Sequence, residues 1–350
     1  MRHRLAAIMT ILCVAIVLSF TTVSAETPVL SVHFIDVGQG DSILVEAPDH
    51  NEMLIDAGEP GAAVADYLKR EGVDDLEVVV STHPHSDHVG GLPEVLDAFR
   101  VKQVIDSETP DNTKPKPKPK QYQTYLARID TAKIPLKHER NGYEFELAPG
   151  VVVYVLGPVL LSSDNPNDRS VVLRITYGKT TYLLMGDAES AEEKSILETR
   201  VTLKADVLKV GHHGSATSTS QKLLNAARPK YAVISCGVNN QYSHPEPKTL
   251  ARLVGMGAEI YRTDLEGTIV SVSDGEKVTI SAEGKTGLAA GGLPAVSSEP
   301  AEGQYIGNIN TKKFHRPTCS YLPEPQNRIY FKMRGEAVAA GYVPCKKCKP

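Results

Sequence analysis

Short runs dominated by Val, Ile and Leu recur from about Leu30 to Ile280, each closed by Gly, Pro, Asn or Asp. Their length and β-branched content predict strands over Val32–Val37, Ser42–Glu46, Glu77–Ser81, Val151–Leu156, Val171–Ile175, Thr181–Met185, Ala205–Val210 and Tyr231–Ser235. Helical spacing of apolar residues predicts helices over Gly61–Arg70, Leu92–Phe99, Thr219–Ala227 and Pro247–Val254. Strands that come first in runs and then alternate with helices imply a mixed α/β body of layered sheets. Two stretches break the pattern. Lys114–Lys120 alternates Lys with Pro and is expected to form an extended, solvated loop, with a phosphate-tracking arm as the alternative. Gly284–Gln304 is rich in Gly, Ala, Pro and Ser without periodicity, which is the composition of a flexible linker. A unit of 46 residues, 305–350, follows it.

The first 25 residues stand apart from the fold. Arg2, His3 and Arg4 precede an apolar core over Leu5–Phe20, and Val23-Ser24-Ala25 offers small residues for cleavage before Glu26. This is the pattern of a secretory signal peptide over 1–25, with an uncleaved anchor as the alternative. Cleavage would leave a secreted or cell-wall-associated protein without a permanent membrane span. Composition adds one asymmetry. From Tyr305 to Pro350 there are nine Lys/Arg against two Glu, whereas residues 26–304 carry 27 basic and 40 acidic side chains. An acidic body with a basic tail implies two modules with different tasks. Hydrophobic and charged contents of 41% and 23% exclude disorder or coiled coil as a description of the whole chain. With 6% aromatic residues and no Trp, base-stacking platforms are not an evident theme.

The densest chemistry is Thr82-His83-Pro84-His85-Ser86-Asp87-His88, placed between the apolar run Val78–Val80 and Gly90-Gly91. Four potential ligands within six residues are hard to explain by packing. His83 and His85, two apart, project to one side of an extended backbone. Asp87 and His88 then reach a neighbouring space, which suits a second ion roughly 3.5–4 Å away in a two-metal hydrolytic site.

This motif resembles the HxHxDH signature of the metallo-β-lactamase superfamily, and the resemblance runs over most of residues 30–280. Val32-His33-Phe34-Ile35-Asp36-Val37-Gly38-Gln39-Gly40-Asp41-Ser42 is similar to the opening of the branch containing the hydrolase domain of ComEC, the DNA-uptake channel protein. Leu54-Ile55-Asp56-Ala57-Gly58, Leu183-Leu184-Met185-Gly186-Asp187, Lys209-Val210-Gly211-His212-His213-Gly214-Ser215 and Tyr242-Ser243-His244-Pro245 match later motifs in order. The resemblance implies a four-layer αββα sandwich over residues 26–283. It implies that His83 and His85 hold a first metal, that Asp187 bridges, and that Asp87 and His88 hold a second with His244. Asp56 either orients ligand histidines or merely forms a turn before Gly58. His212 and His213 bind substrate phosphate or complete a metal shell, and Asp87 and His213 are the candidate catalytic groups. One departure stands out. Between His88 and Asp187 the only histidine is His138, and the third-motif position holds Asn165-Pro166-Asn167-Asp168-Arg169-Ser170. An oxygen ligand from Asn167 or Asp168 is the expected replacement, which suits Mn²⁺ as well as Zn²⁺.

In the tail, His315 with Cys319 and Cys345 with Cys348 form H-x3-C and C-x2-C pairs, a donor set for one tetrahedral zinc. Disulfides are the alternative in an exported protein, but three cysteines in the unit require a cross-domain bridge to Cys236. The unit resembles the metal-binding domain of Ada, the methyl-phosphotriester repair protein, on Asn308, Phe314, His315, Cys319, Ala337, Gly341, Tyr342 and Cys345–Pro350. His315 replaces one Ada cysteine, so methyl transfer is not implied. Structural zinc and a basic surface remain.

The expected function is an exported dinuclear metallohydrolase that cleaves phosphodiesters, foremost DNA, with an anionic cell-wall polymer as another partner for the basic tail. The alternatives are a hydrolase of small esters, lactones or β-lactams, and a non-catalytic DNA-binding competence accessory protein.

Overall fold

The computed structural model describes residues 28–107, 119–282, 305–317, 319–331, 337 and 340–348. The expected signal peptide, the expected linker and residues 114–118 of the Lys/Pro run lie outside the described residues. Lys120 of that run is not part of a loop. It opens a helix, Lys120–Ala132, whose Tyr122, Tyr125 and Ile129 are buried.

Two sheets form the body. The first has eight strands in the order Val278–Ala282, Ile269–Ser273, Leu30–Phe34, Ile43–Glu46, Glu52–Ile55, Asp75–Ser81, Arg100–Asp106 and Leu136–Lys137. The second has seven, in the order Glu259–Arg262, Tyr231–Ile234, Val207–Lys209, Thr180–Leu184, Val172–Tyr177, Val151–Gly157 and Glu144–Ala148. Both are built alike. An antiparallel meander comes first, and parallel strands joined through helices follow it. Ile269–Ser273 then returns from the second half to pair with Leu30–Phe34 of the first, lacing the halves together.

Strand alternation decides the layers. Val78 and Val80 face the other sheet in a core with Val45, Val155, Leu173, Tyr182 and Val233. Val79 points outward onto helices Ala63–Glu71, Leu92–Ala98 and Lys120–Ala132. Leu183, Leu208 and Ile234 do the same on the far side, against helices Ser190–Glu198, Gln221–Ala227 and Pro247–Gly255. Strands buried on both faces read as continuous apolar runs, which is why Val78–Val80 carries no polar position. The result is the expected sequence of helix, sheet, sheet and helix layers. Among the described residues no helix is long and apolar enough to cross a membrane.

The C-terminal unit is a four-stranded sheet in the order Arg328–Phe331, Tyr305–Asn308, Lys313–His315 and Val343–Pro344. Its small core is Phe314, Ile329, Phe331, Ala337 and Tyr342. Gly307 lies under that core, where a Cβ would collide with Ile329, Phe331 and Tyr342.

Candidate functional site

In open α/β sheets, functional groups collect beyond the carboxyl ends of parallel strands. Here both sheets contribute at that edge. Glu52–Ile55 leads into Asp56, Asp75–Ser81 into Thr82–His88, Thr180–Leu184 into Asp187, and Val207–Lys209 into His212 and His213. The backbone is bent to aim these groups. Asp56, His212 and His213 all have left-handed φ, at 57°, 47° and 52°. Such conformations in residues other than Gly cost of order 1–3 kcal/mol each and cluster at functional sites. The Gly38–Asp41 loop closes on the same region. The Asp41 N–H donates to the Asp87 carbonyl oxygen at 3.1 Å, and a Cβ on Gly40 would collide with that oxygen.

Asp187 is the centre of the arrangement. Its Oδ2 faces His83 Nε2 at 3.6 Å and His212 Nε2 at 3.7 Å, while Oδ1 faces His88 Nε2 at 3.4 Å and His213 Nε2 at 3.5 Å. These separations exceed a normal hydrogen bond, and Oδ1 is buried without a hydrogen-bond partner. His85 Nδ1 lies 2.9 Å from His83 Nε2. Asp87 Oδ2 is 3.3 Å from His213 Nε2, which is also 3.3 Å from His88 Nε2. Donor atoms of His83, His88 and Asp187 lie within 4.8 Å of one another, as do those of Asp87, His88 and His213. Asp56 is fully buried behind them. Its Oδ2 is 2.7 Å from His88 Nδ1 and accepts from Thr82 Oγ1 at 2.6 Å, while Oδ1 accepts from the Thr82 N–H at 2.8 Å.

The electrostatics fit a cation site. Burial resists ionisation of Asp187, yet His213, His88 and His83 hold its carboxyl well below the usual range. Burial resists protonation of His88, yet Asp187 and Asp56 raise it well above its ordinary value. For His213 the same opposition, resolved by Asp187 and Asp41, ends near 10. Burial and the neighbouring His88 keep His83 well down, and so neutral. Imidazole and carboxylate donors suit Zn²⁺ or Mn²⁺. A divalent cation among them would displace the protons that the carboxylates attract onto the imidazoles.

The sequence-derived residues occupy three shells of this arrangement. His83, His85, Asp87, His88 and Asp187 converge, and Asp56 supports His88. His213 reaches Asp87 and His88 directly. His244 sits further out, its ring 6.4 Å from that of His213 and 5.5 Å from that of His212. Burial and the nearby His212 bring His244 down to about 4, and its Nδ1 is buried without a hydrogen-bond partner. Asp168 faces the start of helix Ser190–Glu198, where Oδ1 accepts from the Glu192 N–H at 3.3 Å. Asn167 Nδ2 donates to Glu189 Oε1 at 3.1 Å, leaving Oδ1 buried without a hydrogen-bond partner. Glu189 in turn is 3.1 Å from His212 Nδ1. His138 stands apart, with Nδ1 3.2 Å from the Asp106 carbonyl oxygen.

Sequence reasoning left Asp41, Lys209 and Glu189 unassigned. Asp41 Oδ1 lies 3.3 Å from His213 Nδ1, and Oδ2 lies 2.8 Å from Lys209 Nζ, with both partners of that ion pair enclosed. Burial opposes the Asp41 charge, but Lys209 and His213 outweigh it and bring the carboxyl to about 2. The available signal was a Lys ending an apolar strand next to two histidines.

In the C-terminal unit, donor atoms of His315, Cys319, Cys345 and Cys348 lie within 4.8 Å of one another. His315 Nδ1 is 3.3 Å from Cys319 Sγ, and the Arg316 N–H donates to Cys348 Sγ at 3.4 Å. Cys236, Cys319, Cys345 and Cys348 are all free thiols, so the described residues contain no disulfide.

Comparison with known proteins agrees with both halves of this description. Residues 35–238 match the metallo-β-lactamase superfamily, and residues 297–350 match the metal binding domain of Ada. ComE operon protein 3 of Bacillus subtilis is 31% identical over 257 residues, covering 68% of this chain and 32% of its own length. Recombination protein 2 of Haemophilus influenzae is 32% identical over 251 residues, covering 70% and 28%. The chain thus spans about a third of the length of these curated relatives. Among solved structures, the metallo-β-lactamase fold protein YhfI from Bacillus subtilis is 13% identical with a TM-score of 0.45, over 70% of this chain and 99% of that one. The chain belongs to the metallo-β-lactamase superfamily, in its ComEC-like branch, and ends in an Ada-like metal-binding domain.

Proposed function

We propose that the protein is an exported, dinuclear metal-dependent phosphodiesterase whose substrate is DNA. The observation that carries the reading is Asp187, whose two oxygens face different histidine pairs, as a carboxylate bridging two cations requires. Zn²⁺ or Mn²⁺ in the body would be held by His83, His85, Asp87, His88, His213 and Asp187 with His244 beside them, and one structural Zn²⁺ in the tail would be held by His315, Cys319, Cys345 and Cys348. Two divalent ions in such a site supply charge neutralisation at the phosphoryl oxygens and acidify water. The chain's own groups do the rest. Asp56 fixes the ring of His88 through Nδ1, as carboxylates behind metal-ligating histidines do. Asp87 is partly open to solvent, and His213 and His88 hold its carboxyl well below the usual range against burial, so it would ligate a cation and accept a hydrogen bond from the attacking water. The name of Recombination protein 2 supports DNA, as does that of Competence protein ComA of Neisseria gonorrhoeae, 31% identical over 67% of this chain and 31% of its own length; the basic tail supports a polyanion, and the leader-like residues 2–25 support export.

The test incubates the chain from residue 26 with linear and circular DNA, with Mn²⁺ or Zn²⁺, beside a chromogenic β-lactam. Cleavage of DNA with no turnover of the lactam is expected. His85→Ala combined with Asp87→Ala should abolish cleavage and lower metal content while the circular dichroism spectrum is kept. Turnover of the lactam alone, or undiminished cleavage by the double variant, overturns the assignment.

A further inference from the structure

Three rings run in near-parallel succession from solvent to the Asp87 carboxylate. Tyr242 is 54% exposed, and its ring lies 5.7 Å from that of His244 at an interplanar angle of 25°. His244 lies 6.4 Å from His213 at 27°, and His213 Nε2 is 3.3 Å from Asp87 Oδ2. One face of Tyr242 is therefore backed by an imidazole, and the ring itself stands open to solvent.

The loop that displays it is tied down. Asn240 Nδ2 donates to the carbonyl oxygens of Gly237 at 2.9 Å and His244 at 2.6 Å, and its Oδ1 accepts from the His244 N–H at 2.9 Å. The Gly237 N–H donates to Gln39 Oε1 at 3.2 Å. Asn239 and Ser243 hold left-handed φ of 54° and 59°. Val238, 60% exposed, stands on the same loop. A tyrosine held in this way loses little freedom when a flat ligand stacks on it.

We propose that Tyr242 is a nucleobase-stacking subsite for single-stranded nucleic acid, placing an unpaired base beside the phosphate that reaches His213 and Asp87. The inference rests on the phosphodiesterase reading and sharpens its substrate to a strand whose bases are free. Two arguments favour a base as the occupant. The body carries 27 basic against 40 acidic side chains over residues 26–304, so away from the cations it disfavours a phosphate backbone, and an uncharged part of the substrate adds affinity there without that cost. Every unpaired base has a π-face, and each base stacked on an aromatic side chain contributes about 1–3 kcal/mol without regard to sequence.

The test uses the full chain and fluorescence anisotropy with two labelled pentamers of equal charge, both with phosphorothioate linkages to slow cleavage. One is pentathymidylate and the other has tetrahydrofuran abasic residues throughout. The wild type should bind the thymidylate about tenfold more tightly, in keeping with roughly one stacked base. Tyr242→Ala should bring the two affinities within about twofold by weakening only the thymidylate, and Tyr242→Phe should keep the preference. A wild type with no preference, or a preference that persists in Tyr242→Ala, overturns the stacking role. DNA cleavage by the wild type is scored separately. Its absence defeats the phosphodiesterase reading, whereas cleavage with no base preference defeats only the subsite.

Discussion

Lys209 and Asp41 are a buried ion pair, Nζ 2.8 Å from Oδ2 and both side chains enclosed. Removing one partner of such a pair strands a charge, which costs about 3–5 kcal/mol, whereas removing both together is far milder. Lys209→Met should therefore lower stability by about that amount, and Lys209→Met with Asp41→Asn should recover much of it. Urea midpoints of the four proteins in the cycle check this, and additive losses would show that the pair acts as two independent residues. The same pair marks what could be read in the sequence. His83, His85, Asp87 and His88 were legible because four donors in six residues have no packing explanation. Asp41 was not, because an Asp in a Gly-rich loop is equally a turn former, and its partners are 168 and 172 positions away in sequence at Lys209 and His213. The placement of His213 inside His244 follows from left-handed backbone at His212 and His213, which residue types alone do not specify.

At the scale of elements, helix Ser190–Glu198 binds two loops by its first turn. Glu192 accepts from the N–H groups of Val159 and Leu160, and Glu193 from those of Thr219 and Ser220. Burial raises the Glu192 carboxyl to about 7. Between an unfolded value near 4.5 and this folded value the native chain binds the extra proton, so stability contributed by the neutral acid is present below about 4.5 and lost as pH rises to about 7. The loss amounts to about 3 kcal/mol at most. Glu192→Gln should flatten the fall in stability across that window, as followed by denaturant unfolding at several pH values. Parallel curves for the two proteins would contradict it. Elements with continuous apolar runs were legible, down to helix ends within one or two residues. Those missed are strands with polar alternate positions, such as Glu144–Ala148 and Val278–Ala282, and helices whose polar surface hides their role. Glu192 and Glu193 are buried in one such helix, against the expectation that charge marks solvent.

On the scale of the whole molecule, an acidic body is followed by a basic tail, and under the proposed function the tail would carry the contacts to the phosphate backbone. Affinity for duplex DNA should fall steeply with salt in the full chain, because each neutralised phosphate releases counterions. A chain ending at residue 283 should keep its fold and its turnover of a small phosphodiester but lose most of that salt-dependent affinity. Cys345→Ser should imitate the truncation by disrupting the zinc set, while Lys346→Ala with Lys347→Ala should weaken binding and leave zinc in place. Salt titrations with parallel zinc determination decide between these, and unchanged DNA affinity in the truncated chain would remove the tail from DNA recognition. Strand register adds a direction to this division. Phe34 is aligned across the first sheet with Ile43, Ile55 and Val80 on one side and with Ile269 and Ala282 on the other. Ala282, the last described residue of the body, thus lies in the row from which Asp56 and Thr82–His88 project, whereas Leu30 lies at the opposite rim beside Ser273. The molecule has a front and a back. Leu30 enters the body at the back and Ala282 leaves it at the front, so the 22 residues between Ala282 and Tyr305 start on the rim that carries the site, four strands away from Glu52–Ile55. A span of that length reaches at most about 75 Å, measured from the rim on which Asp56 and Thr82–His88 stand.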